Sequence, residues 1–274
     1  MKMKLIFAAC LAAVLSPGVH AKAVPVDISV NGSYIKTDSE PVIENSTVLA
    51  PARAVADALG CDSVSWNEKS KTALFKDENK TIEVTIGKST ALVDGVSKSL
   101  KTKAKIINNR TFVPVRFIAE SLDAKVSWDS KSYTVDITKT DHSVEDEHIN
   151  SDYTAEDVSW LAKIVHAEAQ GEIMEGKIGV ANVVLNRVQS RDFPNNIYNV
   201  IFDRKHGVQF TPIANGAIYN NPAKDSYSAA KKALRGENTV GESLYFCNPV
   251  ISTNSWIMNN RIFHKTIGGH DFYL

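Results

Sequence analysis

The residues best placed to do chemistry lie between Thr154 and Glu175. Thr154-Ala155-Glu156-Asp157 has the pattern of a capping box, in which a hydroxyl and an acid three residues on satisfy each other's free backbone amides. A helix is therefore predicted from there to about Gln170, with Gly171 ending it. Val158, Leu161 and Val165 mark its apolar stripe, and three residues further along that stripe stands Glu168. A carboxylate on a core-facing stripe is costly unless it is paired, protonated with a raised pKa, or set in a cleft cut into the core. Pairing is a structural role; the other two states are those a general acid requires. Glu172 and Glu175 precede or open a second helix predicted over 173–188, where negative charge suits the positive end of the helix dipole. Capping that helix and assisting Glu168 are both open roles for Glu172.

Metal chemistry is the first rival. His166-Ala167-Glu168, His206, His264 and His270 offer imidazoles and an acid, and His-x-Glu opens the zinc deaminase pattern. That pattern needs a downstream Pro-Cys-x-x-Cys, and beyond His166 this chain has only Cys247, preceded by Phe246. There is also no His-Glu-x-x-His run. No metal site and no cofactor is assigned. The 31 basic and 31 acidic residues balance to zero net charge, so no broad basic footprint points to nucleic acid.

At the N-terminus, Met1-Lys2-Met3-Lys4, an apolar run from Leu5 to Leu15 and Val19-His20-Ala21 have the order of a secretory signal peptide over residues 1–21. The run is shorter than the ~20 residues needed to cross a bilayer, so no integral membrane segment is expected after processing. The rest of the chain is long enough for two domains. The segment from Ile43 to Phe75 recurs as Ile106 to Ile137: Ile43, Asn45, Leu49, Pro51, Arg53, Ala56 and Leu59 correspond to Ile106, Asn108, Phe112, Pro114, Arg116, Ala119 and Leu122. Val64-Ser65-Trp66 likewise corresponds to Val126-Ser127-Trp128. Each copy reads as a turn, a short strand, a proline-led helix and a Trp-bearing strand. Arg53 and Arg116 read as helix-to-strand anchors, and both tryptophans as buried structural rings. Asn31-Gly32 marks a tight hairpin. Residues 139–153 are acidic and polar and predict a flexible linker, with the C-terminal domain over 154–274. Cys61 and Cys247, one per domain, are expected to be free.

Residues 24–138 resemble the copper amine oxidase N-terminal-like domain, through Val-Pro-Val-Arg-Phe-Ile-Ala-Glu-Ser-Leu and the Val-Ser-Trp beyond it. No histidine lies between Lys22 and Asp141, so the name does not imply copper here. The module, residues 22–138, is expected to bind wall or a protein partner. His166-Ala167-Glu168-Ala169-Gln170-Gly171-Glu172, then Glu175-Gly176 and the run Ile178 to Val188, is similar to the SleB-type cell-wall hydrolases of spore cortex lysis. The similarity continues through Phe193-Pro194, Val200-Ile201-Phe202, Gln209-Phe210, Leu244-Tyr245-Phe246, Asn248-Pro249, Trp256 and Gly268 to Phe272.

The resemblance implies an α+β chain: a duplicated small α/β module, then an α-rich, lysozyme-like catalytic domain. It implies an enzyme acting on peptidoglycan between N-acetylmuramic acid and N-acetylglucosamine, secreted and associated with the cell wall or spore cortex during germination. The first acid of Glu-Ala-x-Gly-Glu, Glu168, is then catalytic, and Gln209, Tyr245, Asn248 and Trp256 line the cleft. One glutamate suffices for a lytic transglycosylase giving 1,6-anhydro products, whereas hydrolysis usually needs a second acid, for which Glu172 is the candidate. A non-catalytic wall-binding protein is the remaining alternative, against which the intact acid motif argues.

Overall fold

The computed structural model describes residues 24–274 other than 79, 206, 208, 253 and 254; the expected signal peptide lies outside the described residues. The N-terminal module is mainly sheet. Asn31 and Gly32 both take positive φ and turn strand Asp27–Val30 back on Ser33–Tyr34, as the Asn-Gly pair predicts. Helix α1 (Ala52–Ala58) and helix α2 (Val115–Ser121) each come directly after a proline that closes the preceding strand.

The two copies meet across a shared sheet. Thr47–Pro51 of the first copy pairs antiparallel with Arg110–Pro114 of the second, flanked by Val42–Glu44 and Lys105–Ile107. Beyond that the copies diverge. The Trp66 strand, Ser63–Asn67, opens a five-stranded meander ending at Val96–Ser99. The Trp128 strand, Lys125–Asp129, joins Thr134–Thr138, which pairs in parallel with Asp27–Val30. Arg53 Nη2 donates to the Val64 carbonyl at 2.9 Å and Arg116 Nη1 to the Val126 carbonyl at 2.7 Å, so both arginines tie helix to strand. The tryptophans depart from the buried reading: Trp66 is half-buried against the core and Trp128 is exposed, because each lies on the edge strand of its sheet.

The C-terminal half is helical, with one small sheet. Helix α3 (Ala155–Ala169) starts at the Thr154–Asp157 capping box and stops before Gly171. Helix α4 (Met174–Gln189) runs back beside it, and then come α5 (Ile197–Ile201), α6 (Thr211–Asn215) and α7 (Lys224–Leu234), which packs on both α3 and α4. Strand Tyr245–Cys247, α8 (Trp256–Asn260) and the hairpin Phe263–Ile267/His270–Tyr273 complete the chain, with His270–Tyr273 central in the sheet. Gly179 on α4 lets this sheet come close, since a Cβ there would lie 2.8 Å from Phe272 Cζ and 2.9 Å from Val240 Cγ1. Cys61 and Cys247 are free and buried. Among the described residues no helix is long and apolar enough to cross a membrane.

The connecting segment differs from a loose tether. Asn31 Nδ2 donates to the carbonyls of Lys139 and His142, Lys139 Nζ donates to the Leu59 carbonyl, and the His142 ring lies 2.9 Å from the Ala58 carbonyl. Ile149 then bridges Ile35, with backbone bonds from Lys36 to His148 and from Asn150 to Tyr34. Lys139 and His142 turn their side chains to the module and much of the backbone pairs with it, while acids such as Glu145, Asp146 and Glu147 face solvent, which is why composition alone reads as a linker. Past it, Asp27 of the module meets Lys231 and Arg235 of the C-terminal half. Lys231 is fully buried with its Nζ 2.8 Å from Asp27 Oδ2, and Tyr153 donates to Asp27 Oδ1 at 3.1 Å. Tyr34, Tyr153 and Val158 pack around this charge cluster.

Candidate active site

Glu168 lies in the last turn of α3, on the stripe that begins with Val158 and Leu161. It is half-buried, and among the described residues no hydrogen bond or ion pair reaches its carboxyl group. Burial pushes its pKa up to about 7. Of the three states open to a carboxylate at this position, pairing is thus the one the geometry does not provide. Near neutral pH the group is about half protonated, and no described residue is hydrogen-bonded to it to take that proton, a state that a general acid requires.

Glu172 has a different setting. Helix α4 begins at Met174 with Ile173 at its N-cap and no side-chain cap, while Glu175 sits in the first turn. Glu172 is therefore not the cap of α4. Its Oε2 instead accepts the Gly269 amide at 2.9 Å, and its Oε1 stands 3.8 Å from His270 Nδ1. The acid is clasped by the turn Gly268–Gly269. A Cβ on Gly268, whose φ is +59°, would lie 2.0 Å from Glu172 Oε2, and one on Gly269 would lie 3.2 Å from Asn248 Nδ2. His270 is buried, and its burial pushes the imidazole pKa down against the pull of Glu172. Its other face meets the Phe246 ring at 5.3 Å.

Asn248 thus belongs to the Glu172 corner. Its Oδ1 accepts the Val250 amide, shaping the loop that leads to Trp256. Tyr245, three residues earlier, meets Trp256 at 6.4 Å, and the Arg261 guanidinium covers both rings at 4.4 and 5.0 Å. Trp256 is 49% exposed, so it is a surface ring and not a core one. The Gln209 amide donates to the Gly207 carbonyl at 3.2 Å, and the adjacent Phe210 ring lies 6.3 Å from Phe246. The structure thus brings Glu172 and Asn248 together at the Gly268–Gly269 turn and Tyr245 together with Trp256. Among the described residues no acid forms a salt bridge with Arg187: its Nε donates to the Leu244 carbonyl and its guanidinium lies 4.9 to 5.3 Å from the rings of Phe193, Phe210 and Tyr245. It fastens α4 to the strand that carries Tyr245. Among the described residues the histidines of this half form no three-ligand cluster; the one such group, Glu145, Glu147 and His148, lies in the connecting segment.

The Gly269 amide and Arg261 were not legible as site groups in the sequence. A backbone amide carries no residue signature, and Arg261 gains its place only when the loop folds over Tyr245.

Known proteins divide along the same boundary. Residues 29–137 match the copper amine oxidase N-terminal domain family and residues 171–273 the family described as Cell Wall Hydrolase. The cell wall hydrolase CwlJ of Oceanobacillus iheyensis is 30% identical over 99 residues, covering 34% of this chain and 69% of that protein. The chain belongs to the cell wall hydrolase family. The spore cortex-lytic enzyme of Bacillus cereus is 37% identical to this hydrolase over 125 residues, 46% of this chain and 47% of that protein. The chain therefore spans about half the length of the curated relatives it matches first. The catalytic domain of the germination-specific lytic transglycosylase SleB from Bacillus anthracis is 36% identical, aligned over 46% of this chain and 100% of that one, with a TM-score of 0.42. The match to the hydrolase family begins three residues after Glu168 and includes Glu172, Asn248 and the Gly268–Gly269 turn.

Proposed function

We propose that this hydrolase cleaves the glycan strand of peptidoglycan between N-acetylmuramic acid and N-acetylglucosamine, by a lytic transglycosylase reaction with Glu168 as its acid and base. The observation that carries the reading is the unpaired, half-buried Glu168 carboxyl group with its pKa near 7, in a domain of the cell wall hydrolase family. Glu168 gives its proton to the glycosidic oxygen as the bond from that oxygen to muramic acid C1 breaks. The resulting carboxylate takes the proton from the C6 hydroxyl of the same sugar as that oxygen bonds to C1. A 1,6-anhydro ring closes, no water is consumed, and Glu168 ends protonated as it began. Intramolecular attack makes a separately activated water unnecessary.

The engagement of Glu172 favours this one-acid route over hydrolysis. One Glu172 oxygen is occupied in a structural contact with the Gly269 amide, beside Asn248. The duplicated module is assigned to holding wall or a protein partner, and the N-terminal sequence to export, so that the enzyme works in the wall or spore cortex. Mass spectrometry of digested wall tests the reaction directly. Muropeptides lighter by one water than hydrolytic fragments are expected; reducing ends without the anhydro form would make this a hydrolase with Glu172, or another acid, in a second catalytic role.

A further inference from the structure

Helix α3 carries a second group of side chains that the reaction leaves unused. Trp160 stands eight residues before Glu168, which places it about 12 Å away along the helix axis and about 80° around it, so both lie on one half of the helix surface. Three rings surround its indole edge-on: Tyr198 at 5.2 Å, Phe202 at 5.2 Å and Tyr219 at 6.5 Å. Tyr198 and Phe202 lie against each other at 4.6 Å. The indole is fixed by its Nε1 bond to Glu156 at 3.2 Å, and the Lys163 ammonium sits 3.9 Å above its ring. Trp160 and Phe202 reach the core, but Tyr198 and Tyr219 remain 46% and 66% exposed.

A ring cluster needed only for packing would bury its outer members. Here two tyrosines are held outside by contacts that fix them, and an acid and an amine flank them. Aromatic surface immobilised before binding loses little freedom on contact, and a polar rim supplies hydrogen bonds. A pyranose ring meets both demands, with apolar C–H faces and polar edges. The Lys163 charge further suits the carboxylates of a lactyl ether or stem peptide.

We propose that Tyr198 and Tyr219, braced by Trp160 and flanked by Lys163, form a distal saccharide subsite for the same β-1,4-linked N-acetylhexosamine strand that is cut at Glu168. The assignment rests on the glycan-strand reading and names where that strand is gripped away from the broken bond. Continuity along α3 selects a saccharide over a protein partner as the occupant.

The test uses the full chain carrying Glu168→Gln, so that binding is measured without cleavage. Its affinity for a hexamer of N-acetylglucosamine and its retention on purified wall are compared with those of the same protein bearing Tyr198→Ala and Tyr219→Ala. Both should weaken by about tenfold or more, as expected for two lost ring contacts. Tyr219→Ser, at the most exposed ring, provides a second variant whose fold is least at risk. With Glu168 restored, the rise in KM should grow with strand length. Equal hexamer affinity with equal melting temperature overturns the subsite, as does a chain that binds no saccharide. Weaker binding in a protein whose unmodified form releases no fragments sustains the subsite and refutes the cleavage reading. Anhydro fragments released with binding indifferent to both tyrosines do the reverse.

Discussion

At neutral pH a carboxyl group with a pKa near 7 is half protonated, so Glu168 has both its acid and its base form at hand. Replacing it with glutamine keeps the shape and removes the proton; turnover on wall fragments should fall by ~10²–10⁴. In the unmodified enzyme the rate limited by the acid form should decline as pH rises through about 7. Stability carries the same signature with a defined sign. The folded state keeps a proton that the unfolded chain loses at about pH 4.3, so stability falls as pH rises from there toward 7. Urea unfolding at pH 5 and pH 8 should show a smaller drop for Glu168→Gln than for the parent. Glu172 predicts a contrast of another kind. Glu172→Ala strips the Gly269 amide of its acceptor and should cost about 1–3 kcal/mol, whereas Glu172→Gln retains an acceptor oxygen and should cost far less. The burial of Glu168 was readable in sequence because a stripe of Val158, Leu161 and Val165 runs into it. The role of Glu172 was not, because its partner is a main-chain amide ninety-seven residues away.

The hairpin Phe263–Ile267/His270–Tyr273 is the element that sets the Glu172 corner, and a side chain on its Gly268 turn would meet the Glu172 carboxyl group at a backbone conformation that favours glycine. Gly268→Ala would force a methyl group into Glu172 Oε2 at a positive φ. A lowered melting temperature and a several-fold loss of activity are expected, with Gly87→Ala in the module as a comparison, since it shares the positive φ but has open space around it. An unaltered Gly268→Ala enzyme would show that the hairpin moves freely of Glu172. Elements whose logic is local were legible in this chain. The capping box at Thr154, the Asn31-Gly32 turn and the helix-to-strand arginines Arg53 and Arg116 are each set by neighbouring residues. The duplication was legible too, but not its use: that Thr47–Pro51 would pair with Arg110–Pro114, or Asp27–Val30 run parallel to Thr134–Thr138, depends on contacts that no local pattern encodes.

Across the whole molecule the decisive contact is Asp27 with Lys231 and Arg235. Composition predicted two separately folding halves with a cleavable segment between Thr138 and Asp152. The segment's hydrogen bonds to Asn31, Leu59 and Tyr34, and the charges buried beyond it, give instead a physical reason for the two halves to unfold together. Removing one partner of a buried pair strands the others without compensation, so Asp27→Ala should cost about 3–5 kcal/mol. Calorimetry of the parent should give one unfolding transition, and of Asp27→Ala a lower or split one. Two well-separated transitions in the parent would mean that the cluster does not couple the halves. Sequence could not reveal this because Asp27 and Arg235 are 208 residues apart and each, taken singly, reads as an ordinary surface charge.

A joint without slack turns the molecule into a caliper. On a tether, an anchored cutter samples every site within reach, with a local concentration that thins as the tether lengthens. Bolted through Asp27, whatever the module grips is offered to Glu168 at one spacing and one orientation. If the module holds wall and the cleavage is as proposed, sites that match that spacing would be cut repeatedly and those that miss it by a sugar passed over. The signature would lie in the lengths of the released fragments, narrow for the parent and broad once the Asp27 cluster is dismantled.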